Sequence, residues 1–132
     1  MKREDYVSLE VAKLLKEKGF DECCGAYYHC NWDEMTEEEC FEVALIHVFR
    51  NSNNRYRIGA PTLYEAQKWL RNNHGIAVNT YNRVSTKGIS WSYEFNKIET
   101  CKSIIDRNSS FIGFDTYEEA LNEGILEALK LI

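Results

Sequence analysis

The sequence predicts an α+β fold: a single domain over residues 1–132 in which a mainly antiparallel sheet is covered on one face by amphipathic helices. Three observations support this. Ile76, Val78 and Thr80, then Ile89, Trp91, Tyr93 and Phe95 recur every second residue on either side of a Ser85-Thr86-Lys87-Gly88 segment, the pattern of a hairpin with one buried face. Helical spacing of apolar residues follows cap signatures at Ser8, Thr62 and Thr116. Finally, 132 residues with 44% hydrophobic and 28% charged side chains and one proline suit one ordinary core, without a disordered tract.

Taken in order, Ser8 caps a helix whose apolar positions are Leu9, Val11, Ala12, Leu14 and Leu15, and Gly19 followed by Phe20 has the form of a left-handed helix stop. The aromatic run from Gly25 to Trp32 suits a strand. Thr36 and Glu39 form a capping box that opens a helix with Phe41, Leu45, Val48 and Phe49 on one face. Val43 and Ile46 fall on the other side, so residues 41–49 read equally as a strand buried on both faces. Residues 51–54 form a loop, Arg55 to Ala60 a short strand, and Thr62 caps a helix with the inner stripe Leu63, Ala66 and Leu70 that ends at Gly75. After the hairpin, a third strand falls within 98–105 or 110–114. Thr116 and Glu119 then open a last helix with the stripe Tyr117, Leu121, Ile125, Ala128 and Ile132. Gly124 sits inside it at a cost of about 1 kcal/mol relative to alanine, which close packing offsets.

The net charge of −5 is unevenly distributed. Residues 1–42 hold 5 basic and 12 acidic groups, residues 43–107 hold 10 and 4, and residues 108–132 hold 1 and 5, so the middle is basic. The opening MKREDYVSLE leads into an amphipathic segment, which is not the pattern of a signal peptide. No stretch approaches the ~18 apolar residues of a membrane span. A cytoplasmic location is expected, with Cys23, Cys24, Cys30, Cys40 and Cys101 reduced.

Chemistry-bearing residues crowd only in DECCGAYYHC, residues 21–30. A zinc site draws on Cys-x₂₋₄-Cys pairs, whereas Cys23 and Cys24 are adjacent, and His29 and Cys30 would point to opposite faces of a strand. No metal is expected. A cysteine nucleophile with a histidine base needs a selected pair, and neither His47, inside an apolar run, nor His74, at a helix end, is singled out. The acids of DEMTEEEC suit a helix N-terminus and lack the glycine-centred spacing of a calcium loop. Phosphate-binding glycine motifs are absent, so no nucleotide cofactor is expected. The order helix, strands, helix over 62–131 matches a double-stranded-RNA-binding module, but the last helix begins with Asp115, Glu118 and Glu119, which repel phosphate.

The phrases APTLYEAQKWLR, WSYE and FDTYEEALNEGILEALKLI resemble those of an uncharacterised family of small proteins from gut bacteria and their phages, chiefly over residues 60–132. The resemblance implies a self-contained accessory protein, of a mobile element or of housekeeping kind, and no catalytic residue. The reading is a small non-catalytic binding or adaptor protein with an acidic protein partner. A nucleic-acid-binding accessory protein is the alternative, and a cysteine-dependent enzyme a more distant one. The expected partner surface is the helix flank of Tyr64, Lys68 and Arg71, an aromatic beside two cations, extended by Arg55 and Arg57.

Overall fold

A computed structural model describes residues 2–29, 35–44, 50–51, 56–99, 102–105 and 113–132, with 102–105 as backbone. The chain is α+β with antiparallel strands, as expected, and the strands divide between two three-stranded sheets. It separates into two compact units, Met1–Glu65 and Ala66–Ile132.

In unit 1 a 3-10 turn, Arg3–Asp5, precedes α1, Leu9–Glu17. Ser8 Oγ accepts the N–H of Val11, satisfying one donor that the helix leaves unpaired. At the other end Gly19 takes φ 95°, and the N–H groups of Phe20 and Gly19 donate to the carbonyls of Leu15 and Lys16, a Schellman stop that buries Phe20. Strand β1, Ala26–His29, is flanked by β2, Phe41–Val43, and β3, Arg57–Gly59, in the order β2-β1-β3. Val7, Val11, Ala12, Leu15, Phe20, Ala26, Tyr28 and Ile58 form the core of this unit. Tyr28 is polar at its tip, and its hydroxyl is satisfied by donating to the Val7 carbonyl at 2.7 Å.

The helix expected from Thr36 stops after one turn: α2 is Glu37–Cys40, capped by Thr36 Oγ1 at the Glu39 N–H. Phe41 is already extended and starts β2, which opposes Tyr28. The reason is non-local. The Phe41 ring lies 5.2 Å from that of Tyr6 and 5.5 Å from that of Tyr28, contacts that a continued helix would forfeit. The strand alternative thus holds over 41–43, although Val43 is 51% exposed where burial on both faces was expected. Residues 45–49 lie outside the described residues.

Helix α3, Leu63–His74, starts with a reciprocal capping box: Thr62 Oγ1 accepts from Glu65 N at 3.1 Å, and Glu65 Oε1 accepts from Thr62 N at 2.9 Å. The division between units falls inside it. Leu63, Ala66 and Leu70 are buried as expected, and so is Trp69. Gly75 follows at φ 63°.

Unit 2 continues with β4, Ile76–Ser85, β5, Gly88–Lys97, and β6, Lys102–Ile105, in the order β4-β5-β6. Ser85 opposes Gly88 across a two-residue turn, which fixes every later pair as far as Ile76 opposite Lys97. The third strand, β6, lies in the first of the two places considered, and the second holds an isolated bridge, with 110–112 outside the described residues. Besides β6, Phe114 bridges Trp91 through two backbone bonds of 2.9 and 2.7 Å. Helix α4, Tyr117–Leu129, capped by Thr116 Oγ1 at Glu119 N, packs on β4 and β5. Leu121, Ile125 and Ala128 are buried with Val78 and Phe95, whereas Tyr117 is largely exposed and sets its ring against Trp91 at 5.5 Å. The hairpin is not one-sided throughout: Ser92, on the face turned from α4, is 3% exposed, while Val84 and Ile89 at the tip are open to solvent.

Candidate functional site

The cysteine-rich stretch is the entry to β1. Cys24 is buried, and its thiol donates to the Glu22 carbonyl at 3.5 Å. Burial, reinforced by neighbouring carboxylates, pushes that thiol up to about 12, so it stays protonated and poorly nucleophilic at neutral pH. Cys40 is buried at the end of α2 and Cys23 is exposed. Cys30, Cys101 and His47 lie outside the described residues. Among the described residues no group of three or more His, Cys, Asp or Glu side chains is placed to hold a metal ion.

His29 is instead part of a polar cluster on the outer face of the first sheet. Tyr27, itself nearly covered, and His29 alternate with Ala26 and Tyr28, so they share the opposite face; Glu42 opposes Tyr27, and Arg57 opposes His29. His29 Nε2 lies 2.5 Å from Glu42 Oε2, and the Arg57 guanidinium lies 4.7 Å above the Tyr27 ring. The bond to His29, then that to Tyr27, hold the Glu42 carboxyl below the usual carboxylate range. Desolvation and the bond to Glu42 raise the Tyr27 phenol. Side chains from all three strands, two of them from β1, are thereby tied across the sheet, an arrangement that holds register. Arg57, expected to extend the partner surface, is engaged here.

The other expected residues are placed as follows. Tyr64, at the start of α3 in unit 1, is 62% exposed; Lys68 and Arg71 belong to unit 2, the first exposed and the second half-buried. Arg55 lies outside the described residues.

Arg71 leads to a feature of unit 2 that periodicity alone does not reveal. A groove of about 880 Å³ opens where α3 ends and β4 begins. Its apolar lining comes from Ile76, Ile98, Leu131 and Ile132, and its charged side chains are Arg71, Lys97 and Glu99, beside the His74 imidazole. The His74 ring is oriented by Trp69, 4.8 Å away at 61°. Lys97 reaches this place because the hairpin register sets it opposite Ile76, and Ile98 donates its N–H to the Gly75 carbonyl at 2.9 Å. The signal was available in the Ser85-Thr86-Lys87-Gly88 turn: a two-residue connection counts back to that pairing. A volume of this size accepts several side chains of a peptide. Its cationic rim over an apolar floor suits an acid beside an aliphatic or aromatic group.

No family model, curated protein or solved structure matches this chain. Among the described residues no helix is long and apolar enough to cross a membrane.

Proposed function

We propose that this chain is a small non-catalytic binding protein, of the accessory kind found in mobile elements and phages, whose unit 2 groove takes an acidic segment of a partner protein. The setting rests on the resemblance over residues 60–132. The observation that supports the binding mode is the pairing of Arg71 and Lys97 over Ile76, Ile98 and Leu131 in one concavity. Cations on the rim attract carboxylates from a distance, and the apolar floor supplies the area term that holds a bound side chain. A reducing, cytoplasmic setting suits Cys23, Cys24 and Cys40, which are thiols.

The test is a titration of ¹⁵N-labelled protein with a pool of short acidic peptides that each carry one leucine or phenylalanine, beside the same pool with glutamine for glutamate. Shifts concentrated at 71–76, 97–99 and 131 with the acidic pool, lost in Arg71→Glu/Lys97→Glu, support the reading. Absence of shifts, or equal shifts with the glutamine pool, would overturn it. A single-stranded oligonucleotide that shifts the same amides more strongly than the peptides would favour nucleic acid as the ligand instead.

A further inference from the structure

The geometry of the hairpin points to a second interface, independent of the groove: we propose that two copies of this chain pair through the outer edges of their β4 strands, antiparallel about a twofold axis at Asn82.

Strand β4 is an end strand of its sheet, and among the described residues no strand pairs its other edge. Which backbone groups face that edge follows from two observations. Gln67 Nε2 donates to the Val78 carbonyl at 2.6 Å, so the Val78 backbone turns away from β5. Ser85 and Gly88 close a two-residue turn, which makes Ser85 a residue bonded to β5. Both give the same parity: odd-numbered residues of β4 bond to β5 and even-numbered ones present N–H and C=O outward. Gln67 covers the edge at Val78. Beyond it Thr80, Asn82 and Val84 present theirs in succession, and Asn82 and Val84 are exposed.

An open strand edge is a template for another strand, and this one lacks the usual protection by proline, bulge or lysine along 80–84. Its sequence is also self-complementary in the register that the parity allows. With Asn82 opposite its own copy, Thr80 meets Val84 and Val84 meets Thr80, giving roughly six inter-chain backbone bonds. On the face turned from α4 the same register sets Arg83 opposite Tyr81 of the second copy, twice by symmetry, so the strand's only charged residue meets an aromatic ring rather than its own charge. On the α4 face it sets Val84, which is 76% exposed in the single chain and lies opposite the exposed Ile89, against Thr80 of the second copy, twice by symmetry.

Asn82 permits a clean test, because its N–H faces outward and proline there removes an edge donor without removing a β4–β5 bond. Sedimentation of the full chain should show a mass twice the 15.5 kDa of one chain at high concentration. Asn82→Pro should halve that mass while keeping the far-ultraviolet circular dichroism. In a Cys23→Ser background, Asn82→Cys should cross-link under mild oxidant, since hydrogen-bonded twofold partners stand about 5.5 Å apart at Cα. Lys87→Cys, at the turn, should not. A wild type that stays at one-chain mass, a dimer that survives Asn82→Pro, or equal cross-linking at 82 and 87 would each overturn the proposal.

Discussion

Gly124 of α4 lies against Tyr93 of β5 so closely that a methyl group on it would stand 2.9 Å from Tyr93 Cβ, and as near to Val78 Cγ1. Both atoms sit close to their backbones, so neither can swing away. Alanine would gain about 1 kcal/mol of helix propensity and meet overpacking of about 1–3 kcal/mol. Gly124→Ala is expected to lose up to about 2 kcal/mol of stability in denaturant melts. A more stable variant would mean that α4 can lift from the sheet at little cost.

The same helix supplies a second expectation, because Leu121 and Ile125 are buried beneath it. Truncation of either to alanine removes apolar area and leaves a cavity, at about 2–5 kcal/mol. Thermal unfolding of Leu121→Ala and Ile125→Ala checks this, with exposed Lys68→Ala in α3 as the control that should change little.

What could be read from the sequence was what local chemistry decides. The helix starts at Thr62 and Thr116 show in the sequence because a cap and its acidic partner lie three residues apart, that at Ser8 because a capping hydroxyl precedes the apolar stripe, and Gly124 showed as a cost that only close packing explains. Strand β2 showed only as one of two equal readings of 41–49, since what decides between them is the Phe41 ring meeting Tyr6 and Tyr28, which are remote in sequence. Nor did the division into two sheets, because alternation marks a strand without naming its neighbour. Of the groove, Arg71 was among the residues chosen, whereas Lys97 enters it through the register of the hairpin. Arg57, expected to extend the partner surface, sits over Tyr27, a cross-strand contact that charge counting does not reveal.

Asn51 is a third point of leverage. Its side chain is buried, donating from Nδ2 to the Phe20 carbonyl and accepting at Oδ1 from the Gly59 N–H, both at 2.8 Å. It thus ties the stop of α1 to β3. Asn51→Ala removes both bonds from these backbone groups, at about 2–4 kcal/mol. Asn51→Asp keeps the acceptor but sets a carboxylate oxygen against the Phe20 carbonyl. It should be destabilised at neutral pH and recover in part below about pH 4, where the carboxyl protonates and can donate. Equal losses at both pH values would show that the Phe20 contact does not matter.

The adjacent thiols Cys23 and Cys24 should differ sharply in reactivity, because one is exposed and the other is buried with its ionisation pushed up to about 12. A thiol reagent at pH 8 is expected to modify Cys23 rapidly and Cys24 only as the chain unfolds. The same displacement has a consequence for stability, and its sign follows from proton counting. Below pH 9 the Cys24 thiol is protonated in both folded and unfolded chains and contributes no pH dependence. Between 9 and about 12 the unfolded chain releases that proton while the folded chain keeps it, so the unfolded state is favoured and stability falls. The slope from this one group approaches about 1.4 kcal/mol per pH unit within that window. Tyr28, whose burial also raises its phenol, adds to the decline at its upper end, so the wild type must be compared with Cys24→Ala. That variant should lose some stability at pH 7, where it gives up a packed sulfur, and show a shallower fall between pH 9 and 12. Parallel curves for the two proteins would mean that Cys24 ionises in the folded chain as readily as in the unfolded one, and that water reaches the start of β1.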